Sequence, residues 1–174
     1  MNTIFVNLFG GPGTGKSTIC ASVFHKLKVM GIETEMALEY AKDVVWEESY
    51  KKLDNQIYIF GKQHYRVWRL SGKVQVVITD SPLLNSIVYD KTNNQFLKDL
   101  VIHEFKNLNT LNYYIDRDVD YNPNGRMQTM DQALQVDRNY LELLSTNDIS
   151  YTRVPKGDSG VDIIVKQILE KINK

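Results

Sequence analysis

A chain of 174 residues that is 43% apolar and 24% charged has ordinary globular composition at the length of one domain. Its 21 basic residues balance its 21 acidic ones, so no global field draws it to nucleic acid or to an anionic membrane, and any such binding needs a local patch. A lone cysteine, Cys20, excludes an internal disulfide, the N-terminus lacks the positive n-region and long apolar h-region of a secretory leader, and no apolar run approaches the ~18 residues of a membrane span; a single soluble domain, 1–174, in a reducing cytoplasm is expected.

Ile4 to Phe9 reads as a buried parallel strand that runs into Gly10-Gly-Pro-Gly-Thr-Gly-Lys-Ser17. A helix follows from Ser17 to about Met30, with Ile19, Val23, Leu27 and Met30 along its core face and Gly31 as its stop. The loop is G-x-x-x-x-G-K-[ST] in the strand–loop–helix setting that gives the pattern meaning. Its backbone N–H groups can close around phosphate oxygens, which makes Gly11, Gly13, Thr14, Gly15, Lys16, Ser17 and Thr18 the expected cofactor-binding residues. Lys16 reaches the β/γ-phosphates and the Ser17 hydroxyl can ligate Mg²⁺. ATP with Mg²⁺ is the expected ligand, since the chain lacks the guanine-reading N-K-x-D motif.

Thr34 to Leu38 is a second strand candidate, and Glu39 at its C-terminal end points toward the ligand crevice of an open α/β sheet. Glu39 is a candidate general base for an attacking hydroxyl; a cap on the helix that begins near Tyr40 is the alternative. Residues 40–52 read as helical with Val44, Val45 and Trp46 inward, and Asp54 to about Leu70 as another helix closed by Gly72. Lys62, Arg66, Arg69 and Lys73 make a basic stripe on the latter, interleaved with Tyr58, Gln63, His64, Tyr65 and Trp68. Such a surface suits a nucleotide or single-stranded nucleic acid, and equally a solvated face opposite a buried aromatic one. Gln63 and Arg66 are its acceptor-binding candidates.

Val74 to Thr79 is the most apolar strand and ends in Asp80-Ser81-Pro82, the form of a second phosphate-site element whose carboxylate holds Mg²⁺ directly or through water. Asp80 could instead cap a helix starting at Pro82. Residues 83–107 supply one or two helices broken near Lys91 to Asn94, and Leu111 to Ile115 is a fourth strand. Arg117 and Arg126 then flank a polar Pro/Gly segment, a lid-like stretch at about 117–128 whose guanidinium groups would close over the transferred phosphate. A helix from about Thr129 to Ser145, a strand from Ile149 to Val154, a turn over Pro155 to Gly160 and a helix from Val161 to Ile172 complete the chain. His25, His64 and His103 lie too far apart, without Cys or carboxylate at ligand spacing, to predict zinc. Strands alternating with helices predict a three-layer α/β fold of the P-loop NTPase type, five parallel strands covered on both faces, with Gly10 to Ser17, Glu39, Asp80, Arg117 and Lys156 at one edge.

Gly10 to Ser17, Glu39-Tyr40-Ala41-Lys42, Asp80-Ser-Pro-Leu83 and Asn124-Gly-Arg126 together resemble small phage-encoded P-loop proteins described loosely as ATPases and similar to nucleoside and nucleotide kinases of the thymidylate kinase type. The resemblance implies a kinase that moves the ATP γ-phosphate to a hydroxyl of a nucleoside, a nucleotide or a modified DNA base, with 5-hydroxymethyluracil in phage DNA as the specific expectation. It matches the acidic base of deoxynucleoside kinases at Glu39, whereas their Asp-Arg pair is Asp80-Ser81 here. A homodimer is compatible with it. A nucleotide-dependent switch that binds a protein partner and an oligomeric motor ATPase are the competing classes.

Overall fold

The computed structural model describes residues 2–117 and 129–173. In chain order the elements are β1 (Ile4–Phe9), α1 (Lys16–Val29), β2 (Thr34–Met36), α2 (Tyr40–Trp46), α3 (Gln56–Trp68), β3 (Val76–Thr79), α4 (Asn85–Val88), α5 (Gln95–Lys106), β4 (Thr110–Ile115), α6 (Met130–Thr146), β5 (Thr152–Val154) and α7 (Asp158–Ile172), with a 3₁₀ turn at Tyr50–Asp54. The strands form one sheet in the order β2-β3-β1-β4-β5, and every adjacent pair is parallel. The predicted five-stranded, three-layer architecture is the observed one.

Two-residue periodicity explains the layers. Along β1, Ile4, Val6 and Leu8 meet Ile19, Val23 and Leu27 of α1 and Ile164 and Ile168 of α7 on one face. Phe5 and Phe9 point to the other face, into Phe60 and Val67 of α3, Val101 and Phe105 of α5, and Tyr140 and Leu144 of α6. Buried on both sides, β1 carries apolar residues at five of its six positions. The sixth, Asn7, is buried and receives its partner across the sheet, donating from Nδ2 to Asn112 Oδ1 at 3.0 Å.

Several boundaries differ from the sequence expectation for physical reasons. The helix expected over 40–52 ends at Trp46, because Glu48 takes a left-handed backbone (φ 53°) and the chain re-enters as the 3₁₀ turn. Trp46, expected to face inward, is 79% exposed at that broken end. Strand β5 is three residues rather than six: as an edge strand it has only β4 to pair with, and the pairing starts at Tyr113↔Thr152. On α3 the core is filled by Ile59, Phe60 and Val67, so Trp68 (62% exposed) and Tyr65 lie on the solvent side in contact with each other, not on a buried aromatic face.

Candidate active site

The phosphate loop leaves β1 with Gly10 and Gly15 in left-handed backbone regions (φ 138° and 89°), conformations that a side chain would strain. Gly15 ends the loop at the N-cap position of α1 and brings no side-chain cap, so the first-turn N–H groups of α1 remain available to an anion. The side chain of Lys156, after β5, packs against Gly15, with Cγ 3.4 Å from where a Cβ would stand. Lys16 Nζ donates to the carbonyls of Gly10 (2.6 Å) and Gly11 (3.0 Å), and Thr14 Oγ1 donates to the Gly11 carbonyl at 3.1 Å. Burial pushes the Lys16 ammonium pKa down, opposed by the negative fields of Glu39, Asp80 and Asp137.

Ser17 Oγ donates to Asp80 Oδ2 at 2.6 Å, which joins the start of α1 to the end of β3. Asp80 is 4% exposed, and its other oxygen, Oδ1, is buried with no hydrogen-bond partner among the described residues. A buried carboxylate oxygen left unpaired beside a hydroxyl is the donor set a hard divalent cation takes, with phosphate oxygens and water completing its shell. Ser17 and Asp80 therefore fit Mg²⁺. The described residues contain no cluster of three or more His, Cys, Asp or Glu side chains that could hold a metal without such exogenous oxygens.

Glu39 sits at the N-cap of α2 but makes no side-chain capping bond there, so its carboxylate is not spent on the helix. Burial raises its pKa above the ordinary 4.5, Lys16 pulls it down, and Asp80 raises it further. The backbone that carries it is held from α3. Gln63, 3% exposed, accepts from Tyr40 N–H at 2.9 Å and donates to the Ala37 carbonyl at 3.4 Å, while Arg66 donates to the Leu38 carbonyl at 3.0 Å and pairs with Asp43. Arg66 also lies over the Tyr40 ring, whose hydroxyl shares a 2.6 Å hydrogen bond with Tyr58. Gln63 and Arg66 are thus beside the expected acceptor side, with their polar atoms engaged by residues 37–43.

Sequence reasoning missed two groups. Tyr140 donates to Asn85 Oδ1 at 2.8 Å and Asn85 donates to Ser81 Oγ at 3.0 Å, a polar row from α6 to the residue after Asp80. Tyr89 pairs with Tyr140, and burial raises both phenol pKa values, with the Glu39 charge adding to the effect. Asp137 was the second omission. It accepts from Gly11 N–H at 2.5 Å, from Tyr114 Oη at 3.1 Å and from Arg117 Nε at 2.6 Å, and Arg117 Nη1 donates to the Pro12 carbonyl at 2.8 Å. The signal was present in the sequence, for Asp137 interrupts the apolar line of Ala133, Val136, Tyr140 and Leu144 on α6. Arg117 therefore lies at the strand edge beside the phosphate loop, with its guanidinium on Asp137 and the Pro12 carbonyl. Arg126 and the rest of the lid-like segment lie outside the described residues.

A phosphate loop between the central strand and its helix, with a carboxylate at the end of the neighbouring parallel strand facing the loop's Ser17, defines a P-loop NTPase domain. Residues 5–160 match the family model described as AAA domain, and the chain belongs to that family. Among the solved structures that share the fold are two of the NadR protein. One is the NadR protein in complex with NR, at TM-score 0.75 and 18% identity over 97% of this chain and 51% of that one. The other is the NadR protein in complex with NAD and AMP-PNP, at TM-score 0.73 and 16% identity over 99% of this chain and 50% of that one. The chain thus spans about half the length of each NadR chain. No curated protein matches it in sequence.

Proposed function

We propose that this chain is an ATP-dependent kinase that transfers the γ-phosphate to a hydroxyl of a small acceptor of the nucleoside or nucleotide class. The observation that carries the reading is Glu39, an uncommitted carboxylate of raised pKa within the electrostatic reach of both Lys16 and Asp80. A nucleotide switch that only bound ATP would have no need of a base at that edge. Kinship in fold with a protein solved with AMP-PNP supports ATP as donor. The same protein solved with NR supports a small-molecule acceptor, and 5-hydroxymethyluracil in DNA rests on the sequence resemblance alone.

In this mechanism the Lys16 ammonium and the N–H groups of Gly13 to Thr18 bind the triphosphate, and Ser17 and Asp80 would hold Mg²⁺, which would supply further neutralisation of phosphate charge. Glu39 takes the proton of the acceptor hydroxyl as its oxygen bonds to the γ-phosphorus, and the bond from that phosphorus to the bridging oxygen breaks to release ADP. Gln63 and Arg66 serve this step as positioning residues, since they fix the backbone of residues 37–40. The hydrogen-bonded row of Tyr140, Asn85 and Ser81 supports the end of β3 that carries Asp80.

The test is transfer from γ-labelled ATP to a panel of free nucleosides, nucleotides and hydroxymethyluracil-containing DNA. Label should appear on one acceptor class, and Glu39→Gln should retain ATP binding while losing transfer by at least about 100-fold, the range of general-base catalysis. Label found only in inorganic phosphate would replace this reading with that of an ATPase or nucleotide switch.

A further inference from the structure

The P-loop is ordinarily thought of as a glycine turn held by its own strand and helix, but here its first half is held from outside. Gly11 is the centre of that hold. Its N–H donates to Asp137 at 2.5 Å, and its carbonyl receives Lys16 Nζ at 3.0 Å and Thr14 Oγ1 at 3.1 Å. A Cβ on Gly11 would stand 2.7 Å from the Ala133 carbonyl and 2.8 Å from both Arg117 Nη2 and Asp137 Oδ1, so α6 lies directly on this peptide. Arg117 closes the ring by binding Asp137 at 2.6 Å and the next carbonyl, that of Pro12, at 2.8 Å. The ion pair is largely dry, with the two side chains 11% and 13% exposed.

We propose that Asp137 and Arg117 act as a positioning pair that preforms the phosphate loop for ATP from outside the β1–loop–α1 unit. The proposal rests on the reading that the loop binds Mg·ATP, and assigns Arg117 to the loop rather than to the transferred phosphate. The peptide that Asp137 holds is the one Lys16 binds, so the orientation of the carbonyls that park the Lys16 ammonium depends on a carboxylate contributed by α6. A buried charge pair is weak as a source of net stability, and a preorganising role accounts for its place on the loop.

The experiment is a titration of the full chain with Mg·ATP, with thermal unfolding of each protein in the absence of nucleotide. Asp137→Asn, which preserves size and leaves Arg117 without its counter-charge, is expected to bind at least about tenfold more weakly. In the transfer assay its loss should fall on KM for ATP. Because Asp137→Asn can fail to fold, the double variant Arg117→Met/Asp137→Leu replaces the pair as a unit with apolar groups. It should unfold cooperatively, at a midpoint lowered by the Gly11 N–H and Tyr114 hydroxyl that lose their acceptor, and still bind at least about tenfold more weakly. Binding by either folded variant within about twofold of wild type overturns the proposal, as does a lowered midpoint with unchanged affinity. A wild-type chain that does not bind Mg·ATP overturns the function reading and this inference with it, whereas wild-type binding with unaffected variants overturns the inference alone.

Discussion

Glu39 shows how much of the chemistry is set by one residue's surroundings. Its folded pKa lies above 4.5 because burial, the largest effect, disfavours the charged form, with Lys16 only partly offsetting that. The sign for stability follows. A carboxyl whose pKa is raised on folding is accommodated in full below its unfolded pKa, and the protein loses stability as pH rises through the raised folded value. Glu39→Gln should therefore melt at or above the wild-type temperature at pH 7 to 8, and the difference should vanish below about pH 4.5. With Glu39 as the base of the proposed transfer, the same shift should displace the acid limb of kcat/KM upward from the ordinary carboxylate range. A pH series of unfolding midpoints for the two proteins checks the first statement, and lower midpoints for Glu39→Gln at neutral pH contradict it.

At the scale of elements, the helix ends divide the work between holding and binding. Helix α6 begins with a complete capping box: Thr129 N–H donates to Gln132 Oε1 at 2.9 Å and Gln132 N–H to Thr129 Oγ1 at 3.3 Å. Helices α3 and α5 start on Asn55 and Asn94, whose side chains accept from Tyr58 and Leu97 N–H groups. Helix α1 has no side-chain cap, like α2 and α7, and of these it is the one that follows the glycine loop, a setting that suits an anion. Thr129→Ala should cost about 1 kcal/mol, read as a lower urea midpoint at unchanged slope. Because α6 also carries Asp137, the same variant is expected to weaken nucleotide binding slightly, by less than the change at Asp137 itself. Helix α3 holds the Glu39 segment through Gln63 and Arg66 while presenting Lys62, Tyr65, Trp68 and Arg69 to solvent.

Taken as a whole, the molecule is a doubly covered parallel sheet whose strand ends bring Ser17, Glu39, Asp80 and Arg117 to one edge from four separate parts of the chain. The central position of β1, between β3 and β4, explains why the loop that follows it can touch Asp80 on one side and Arg117 on the other. A ligand that bridges these parts in the native state alone stabilises the entire fold by mass action. At a Mg·ATP concentration of 100 times Kd the gain is about 2.7 kcal/mol, or an unfolding midpoint roughly 5–10 °C higher for a domain of this size. Lys16→Ala should lose most of that increment while keeping the midpoint measured without nucleotide close to wild type. Differential scanning calorimetry with and without Mg·ATP decides it.

The sequence by itself determined the class of fold, the phosphate loop and the acidic residues at the strand ends. These are written in short-range patterns: an apolar strand, a glycine turn at a strict spacing, a helix with a three- and four-residue apolar stripe, and strands followed by Glu39 and Asp80, although β2 itself ends at Met36 and not at Leu38 as its pattern predicts. Tertiary structure alone decided what each polar side chain binds. Gln63 and Arg66 read in sequence as free recognition groups, and only the packing of α3 beside residues 37–43 shows their hydrogen bonds to that segment. Asp137 stands 126 residues from Gly11, and no local pattern links a carboxylate on α6 to a backbone amide in the first loop. Local periodicity fixes which way a residue faces; a partner so distant in sequence is chosen by the order of strands in the sheet, which brings the loop after β1 under α6.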